Sequence, residues 1–322
     1  MLKKLLTIFM ICFSLIACSQ KPINPPEATT PAPPAQELTS MPLPLPTSTP
    51  LASPIVPPLP TFPFPTALPT FTPVRMEMPP DFSPILYGKK YDANTFFILL
   101  GGVGEGDWLE PNLALARFAG AWEYDVYTFA KGRFQVHGYA PEFFPTSQSY
   151  SLRTDVTLDE FGMVGVAHGW QVTQRDVEEL SPANQFYEQM VIDWLIAKGI
   201  SEPQLGILRI FRVDIEGDGT DEIFISATHL DESQHTTKAG DYSIILMRKV
   251  TGNDVVTLSI VGNVYHSQEL EITYPRTYSL ANFIDLNQDG VLEVVVDIQR
   301  WESFGAIVYQ IDGLDIIDPL RE

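Results

Sequence analysis

Apolar positions along the chain gather in short runs separated by turns rich in glycine, asparagine and aspartate, the pattern of antiparallel β-structure. Thr95-Phe96-Phe97-Ile98-Leu99-Leu100 is a short apolar run closed by Gly101-Gly102, as expected of a buried strand. Residues 122–129 alternate weakly, and Lys131-Gly132 turns them into residues 134–139, which predicts a hairpin. Gly101, Gly102, Gly104 and Gly106 read as a flexible turn, because no Gly-Lys-Ser/Thr ending and no immediate helix start accompany them. One stretch changes period. Phe186, Tyr187, Met190, Val191, Trp194 and Leu195 recur at helical spacing, with Ser181-Pro182 as start signal and Gly199 as stop.

After this helix the strand signals are dense. Residues 206–213, 223–227, 241–247 and 255–260 are followed from Tyr278 by a second series ending at residues 294–296 and 306–309. Four short strands per unit predict a mainly β fold of propeller-like antiparallel blades, a partial or small propeller, with one bracing helix. A fainter third copy is expected where Tyr150-Ser151-Leu152 precedes residues 157–162, a loop with Phe161 and Gly165 at ligand positions and therefore metal-free.

The polar positions between the paired strands carry the candidate chemistry. Asp285-Leu286-Asn287-Gln288-Asp289-Gly290-Val291-Leu292-Glu293 has oxygen-bearing side chains at positions one, three, five and nine, and glycine at six. Asp214-Ile215-Glu216-Gly217-Asp218-Gly219-Thr220-Asp221-Glu222 repeats the pattern 71 residues earlier. Hard divalent cations such as calcium take six to eight oxygens from a tightly curled loop. An EF-hand or dockerin would place an acid at position twelve and then a helix, but Ile225 and Val296 stand there within strand-like runs.

With Phe211 and Phe283 just upstream, these two stretches resemble the FG-GAP or VCBS repeats, the blade type of the integrin α-subunit propeller. The resemblance covers roughly residues 207–320. It implies two structural Ca²⁺ sites, each in the loop between the first two strands of a blade. Asp214, Glu216, Asp218 and Glu222 would be side-chain ligands of one, Asp285, Asn287, Asp289 and Glu293 of the other. The carbonyls of Thr220 and Val291 would fill position seven. Glu216 departs from the usual Asp or Asn at position three, and Glu222 and Glu293 stand where Asp is commoner. Four carboxylates against three predict tighter binding at the first loop, unless Glu216 fits badly. A ring of about seven blades does not fit the length, so a small ring or an open stack of sheets against residues 81–204 is expected.

The N-terminus sets the compartment. Lys3 and Lys4 precede an apolar run over residues 5–17, shorter than the ~20 residues of a spanning helix and laid out as a secretory signal. Leu15-Ile16-Ala17-Cys18 resembles the lipobox of bacterial lipoproteins. That likeness implies removal of residues 1–17, lipidation of Cys18, and membrane anchorage in the extracytoplasmic cell envelope. With Cys12 removed and Cys18 modified, no thiol remains for disulfides, zinc or nucleophilic chemistry. Cys18 opens a linker over residues 18–80. Twenty prolines and nine threonines between residues 21 and 80 cannot build a core and favour an extended stalk.

Residues 81–322 hold 37 acids and 16 bases, a net charge of −21 that repels nucleic acid. The expected organisation is residues 81–204, mainly β and ending in the helix, then two repeats over residues 205–322. The expected function is a surface-displayed, lipid-anchored calcium-binding module, not an enzyme, with a protein or carbohydrate ligand. The competing expectation is an exported hydrolase with its active site in residues 85–204. Asp107 with Glu110, or Glu123 with Asp125, would be its carboxylate pair. His137 and His168 lie in strand-like runs, and no HExxH, GxSxG or SxxK pattern is present.

Overall fold

A computed structural model describes residues 79–322 apart from 92–93, 119, 131, 146–147, 231–235, 268–274, 302 and 322. Residues 1–17, Cys18 and the proline-rich linker up to residue 78 lie outside the described residues. Those that are described belong to one compact unit. They form three antiparallel sheets, none closed on itself, and two helices. Among them no helix is long and apolar enough to cross a membrane.

The first sheet takes β1 (Phe82–Tyr91), β2 (Asn94–Gly104), β3 (Asp107–Leu109), β4 (Trp122–Tyr127), β5 (Arg133–Gly138), β6 (Glu142–Phe144), β7 (Ser149–Arg153) and β8 (Met163–Ala167). Its order is β5-β4-β8-β1-β2-β7-β6, with β3 on β2. The expected β4–β5 hairpin forms, from Trp122↔Gly138 to Tyr127↔Arg133. Two expectations fail here. The glycine-rich stretch is not all turn: β2 runs through Gly104, and only Glu105 and Gly106, both at positive φ, make the reversal. The third loop copy does not exist as a hairpin, because β1 and β2 separate β7 from β8. The intervening chain is drawn back over the sheet, where Thr95 Oγ1 accepts from Leu158 N and donates to its carbonyl. A short helix the sequence reading missed, α1 (Pro111–Ala116), follows β3 with proline in its first turn.

The second sheet contains β9 (Glu178–Leu180), β10 (Ile207–Val213), β11 (Glu222–Thr228), β12 (Tyr242–Thr251) and β13 (Asp254–Val264), in the order β13-β12-β11-β10-β9. Between β9 and β10 lies α2 (Gln185–Ala197). Its cap is Asn184, whose side chain accepts from Phe186 N, and not Ser181: residues 181–183 stay outside the helix. Gly199 at φ +96° takes the left-handed position after the last turn, as expected. Val191 and Leu195 bury the helix face, whereas Phe186 is exposed beneath the Arg248 guanidinium. The third sheet is a meander of β14 (Thr277–Ile284), β15 (Glu293–Gln299), β16 (Phe304–Asp312) and β17 (Asp315–Arg321).

Strand alternation dictates how the sheets stack. On β15, Val294, Val296 and Ile298 join Phe283, Ile307 and Tyr309 in a core shared with Phe211, Phe224, Ile245 and Met247 of the second sheet. Val295 points the other way and packs with Ile284, Ala306 and Val308 against Ile85, Tyr87, Ile98 and Val166 of the first. The third sheet is therefore the middle layer. α1 covers part of the outer face of the first sheet and α2 that of the second. Phe283 is central, its ring 4.8 Å from Phe224 and 6.2 Å from Phe129. Phe283→Ala is expected to cost about 3–5 kcal/mol in urea unfolding, from lost burial and the cavity left in a core that cannot collapse from either side.

Candidate metal centre

Both acidic stretches are turns between consecutive antiparallel strands. Asp214 to Asp221 joins β10 to β11, the second and third strands of the five-stranded sheet, and Asp285 to Leu292 joins β14 to β15, the first two of the third sheet. In the first, Asp214 Oδ1 accepts from Gly217 N (2.6 Å) and Asp218 N (3.2 Å), and Oδ2 from Gly219 N (2.9 Å). Asp285 does the same in the second, with Gln288 N at 2.7 Å and Gly290 N at 3.1 Å. Asp218 and Asp289 each accept from the amide two residues on, Thr220 and Val291. Gly219 and Gly290 hold φ of +87° and +90°, where a side chain would be strained. Position nine closes each ring: Glu222 Oε2 accepts from Ile215 N at 3.1 Å, and Glu293 Oε2 from Leu286 N at 2.7 Å.

The structure thus gathers Asp214, Glu216, Asp218 and Glu222 on one turn, and Asp285, Asn287, Asp289 and Glu293 on the other. Thr220 and Val291 stand at position seven through their backbone. Among the described residues no three His, Cys, Asp or Glu side chains converge as a formed metal cage. The position-one and position-five carboxylates are turned onto the loop's own amides. The second turn still passes a chemical test for a cation. Glu293 is wholly buried, and its Oε1 has no hydrogen-bond partner. A buried carboxylate oxygen without a partner carries a desolvation cost that a cation relieves.

The two turns differ in compensation. Burial pushes Asp214 up, but the amides of Gly219, Gly217 and Asp218 and the charge of Arg175 outweigh it, and its pKa ends below the ordinary value. Asp285, at the same position, ends above it, because burial and Asp289 exceed the amides of Gln288 and Gly290. Glu222 is raised by burial, opposed by the Ile215 amide and the Lys249 ammonium. Glu293 is raised to about 8 by burial with Asp289 and Asp285 adding to it, against the Leu286 amide.

Three contributors went unread in the sequence. Arg175 ties the turns together, donating to Asp214 O (3.2 Å), Ile215 O (2.5 Å) and Gly290 O (2.6 Å). Thr173 O accepts from Asp285 N at 2.9 Å. Lys249 Nζ lies 2.7 Å from Glu216 Oε2 and 3.9 Å from Glu222 Oε1. Arg175 and Thr173 sit in a connection without strand or helix period, which left no local signal. Lys249 is legible only once the pairing of β11 with β12 is known.

The acids of the first sheet have other employment. Asp125 is buried, with Arg133 at 2.9 Å and His168 Nδ1 at 3.2 Å, and accepts from Gly169 N at 3.0 Å. Although burial pushes it up, these partners hold its pKa below the ordinary value. Glu123 faces His137 Nδ1 at 3.0 Å, and Asp107 and Glu110 are exposed around the β3 hairpin. A cleft of about 410 Å³ opens elsewhere, at the far end of the hairpins, between Lys89, Arg209, Thr228, Tyr278, Asp297 and Trp301. Asp297, its carboxylate, accepts from Tyr87 OH at 2.8 Å and pairs with Lys89 at 3.1 Å. Six strand steps separate Glu222 from Thr228, roughly 20 Å at ~3.3 Å each, so the turns and the cleft lie at opposite ends.

The raised pKa of Glu293 sets a pH dependence. Between its ordinary 4.5 and about 8 the folded chain holds a proton that the unfolded chain has released, so stability falls as pH rises through this window. Denaturant titrations in chelator are expected to show that fall, on the order of 5 kcal/mol from this group. Glu293→Gln is expected to remove its share of the slope. Compared with models of known protein families, with curated proteins and with solved structures, the chain finds no match in any of the three, so its likeness to FG-GAP repeats rests on the residues of the two turns.

Proposed function

We propose that the chain is a lipid-anchored, surface-displayed binding module of the bacterial cell envelope, stiffened by calcium, and not an enzyme. The observation that carries this reading is the wholly buried Glu293 with its unpartnered Oε1. Around it, Asp285, Asn287 and Asp289 supply the side chains that would hold the ion with Glu293, and Val291 its carbonyl. The corresponding set in the first turn is Asp214, Glu216, Asp218, Glu222 and the carbonyl of Thr220. Calcium bound around Glu293 neutralises carboxylates at the turn of a hairpin; its role is scaffolding, about 20 Å from the cleft.

On this reading β10–β13 and β14–β17 act as two FG-GAP/VCBS-like blades in an open stack against the first sheet, a partial propeller. Cys18 anchors the chain in the membrane, and residues 18–80 lift the folded unit from it. The ligand is a protein or carbohydrate at the cell surface, received by the cleft. Lys89, Arg209 and Arg300 give the cleft a basic lining within a region of net charge −21, and Trp301, 41 % exposed, offers an indole face to a sugar ring or an apolar side chain. Among the described residues of the lining Asp297 is the one carboxylate, and it is engaged by Tyr87 and Lys89.

Extracellular modules bind calcium at ~0.1–1 mM. Thermal melting is expected to rise by several degrees in millimolar calcium and to return in chelator, and Glu293→Gln to make the melt insensitive to both. An unchanged wild-type melt, with no heat on calorimetric titration, would end the calcium reading. Cys18→Ala is expected to move the protein from the membrane fraction to the soluble extracytoplasmic fraction, read by blotting of fractionated cells.

A further inference from the structure

The two turns are alike in sequence but differ in what stands across the sheet from position nine. In the second sheet Ile223 pairs with Arg248, so one step further Glu222 faces Lys249. In the third sheet Val294 pairs with Tyr309, so one step further Glu293 faces Gln310. Lys249 and Gln310 are therefore register equivalents. Side chains opposite each other on paired strands share a sheet face, which delivers each of them to its turn.

What they bring differs by one charge. The Lys249 side chain is 7 % exposed, with its Nζ 2.7 Å from Glu216 Oε2 and 3.9 Å from Glu222 Oε1. This is a contact of charge without hydrogen-bond alignment: the ammonium has no aligned acceptor. A compact point charge bridging the position-three and position-nine carboxylates does what a metal ion would do for them. Glu216, one methylene longer than the Asp or Asn expected there, is the residue that meets it. Gln310 brings only a neutral amide, which donates to Asp289 Oδ2 at 3.2 Å and leaves Glu293 Oε1 unpartnered. Among the described residues no ion pair reaches Asp285, Asp289 or Glu293.

We propose that Lys249 is the resident cation of the first turn and that the chain takes a single calcium ion, held by the second. The inference rests on the calcium reading above and reverses the ranking that carboxylate count alone predicts. A divalent ion entering the first turn would have to displace an ammonium from Glu216 and Glu222, or share those carboxylates with it. Either way, like-charge repulsion and loss of the buried ion pair oppose binding. The second turn has no such competitor.

Exchanging the two equivalents tests this. Calorimetric titration of calcium into the full-length chain in detergent is expected to give one ion per chain for wild type, two for Lys249→Gln and none for Gln310→Lys. Terbium supplies a second readout that does not depend on the Lys249 variant. Trp170, whose Nε1 donates to Leu286 O at 2.9 Å, lies against the second turn and is placed to sensitise terbium there. Tryptophan-excited terbium emission is expected to fall at least ten-fold in Gln310→Lys and in Glu293→Gln, and to remain in Glu216→Ala. Two ions bound by wild type, or one ion still bound by a folded Lys249→Gln, would overturn the lysine assignment while leaving the calcium reading intact. Absence of calcium and terbium binding in wild type and Lys249→Gln alike would overturn both.

Discussion

The strand β15 has no face for water, and that constraint organises the molecule. Val294, Val295 and Val296 are consecutive and all fully buried, so β15 needs an apolar partner on each side. A sheet of this kind cannot exist as an isolated repeat. The second sheet supplies one partner face and the first sheet the other. A slip of one residue in β15 would exchange every contact of the two cores, so its register is strongly specified. Glu293 begins this strand and inherits its burial. The carboxylate is wholly enclosed because of where the valines must go.

The same stacking explains how two turns of similar sequence acquired different chemistry. Each closes through a position-nine glutamate that accepts from the amide of position two. Past that common frame, the surroundings are set by the neighbouring strand and by the connection carrying Thr173 and Arg175. Arg175 reaches carbonyls of both turns, yet its charge is felt at Asp214, where it helps lower the pKa. Charge compensation is thus concentrated on the first turn and sparse at the second.

Much of the β-structure was legible in residues 206–260 and 278–309, because alternation and β-branched runs respond to burial that the strand itself creates. The two acidic turns were legible for a similar reason: their hydrogen bonds are made within nine residues. What stayed hidden was long-range. β7 and β8 lie close in sequence and look like a hairpin, but β1 and β2 come between them, and no local pattern records that. Lys249 and Gln310 were hidden by unequal connections. The turns are 71 residues apart but these two only 61, because the link from β11 to β12 is longer than that from β15 to β16, so an ungapped comparison never aligns them. The N-cap at Asn184 in place of Ser181 was a local error: a proline at residue 182 opens a turn here and not the helix.

The direction of β1 has a mechanical consequence. The chain enters the described fold at Phe82, and Lys89, seven residues along the same strand, lines the cleft at the other end. With the proposed tether pulling at the start of β1 and a ligand pulling at the cleft, load runs along the strands, in shear. β1 meets that load paired on both sides, by ten residues of β2 from Phe82↔Gly104 to Tyr91↔Asn94 and by β8 from Leu86↔Gly165 to Gly88↔Met163. Hydrogen bonds loaded in shear must break together, whereas those at a peeled edge break one at a time. On the proposed reading the tether joins the fold at an interior strand, an arrangement suited to a module whose ligand is dragged away from the cell.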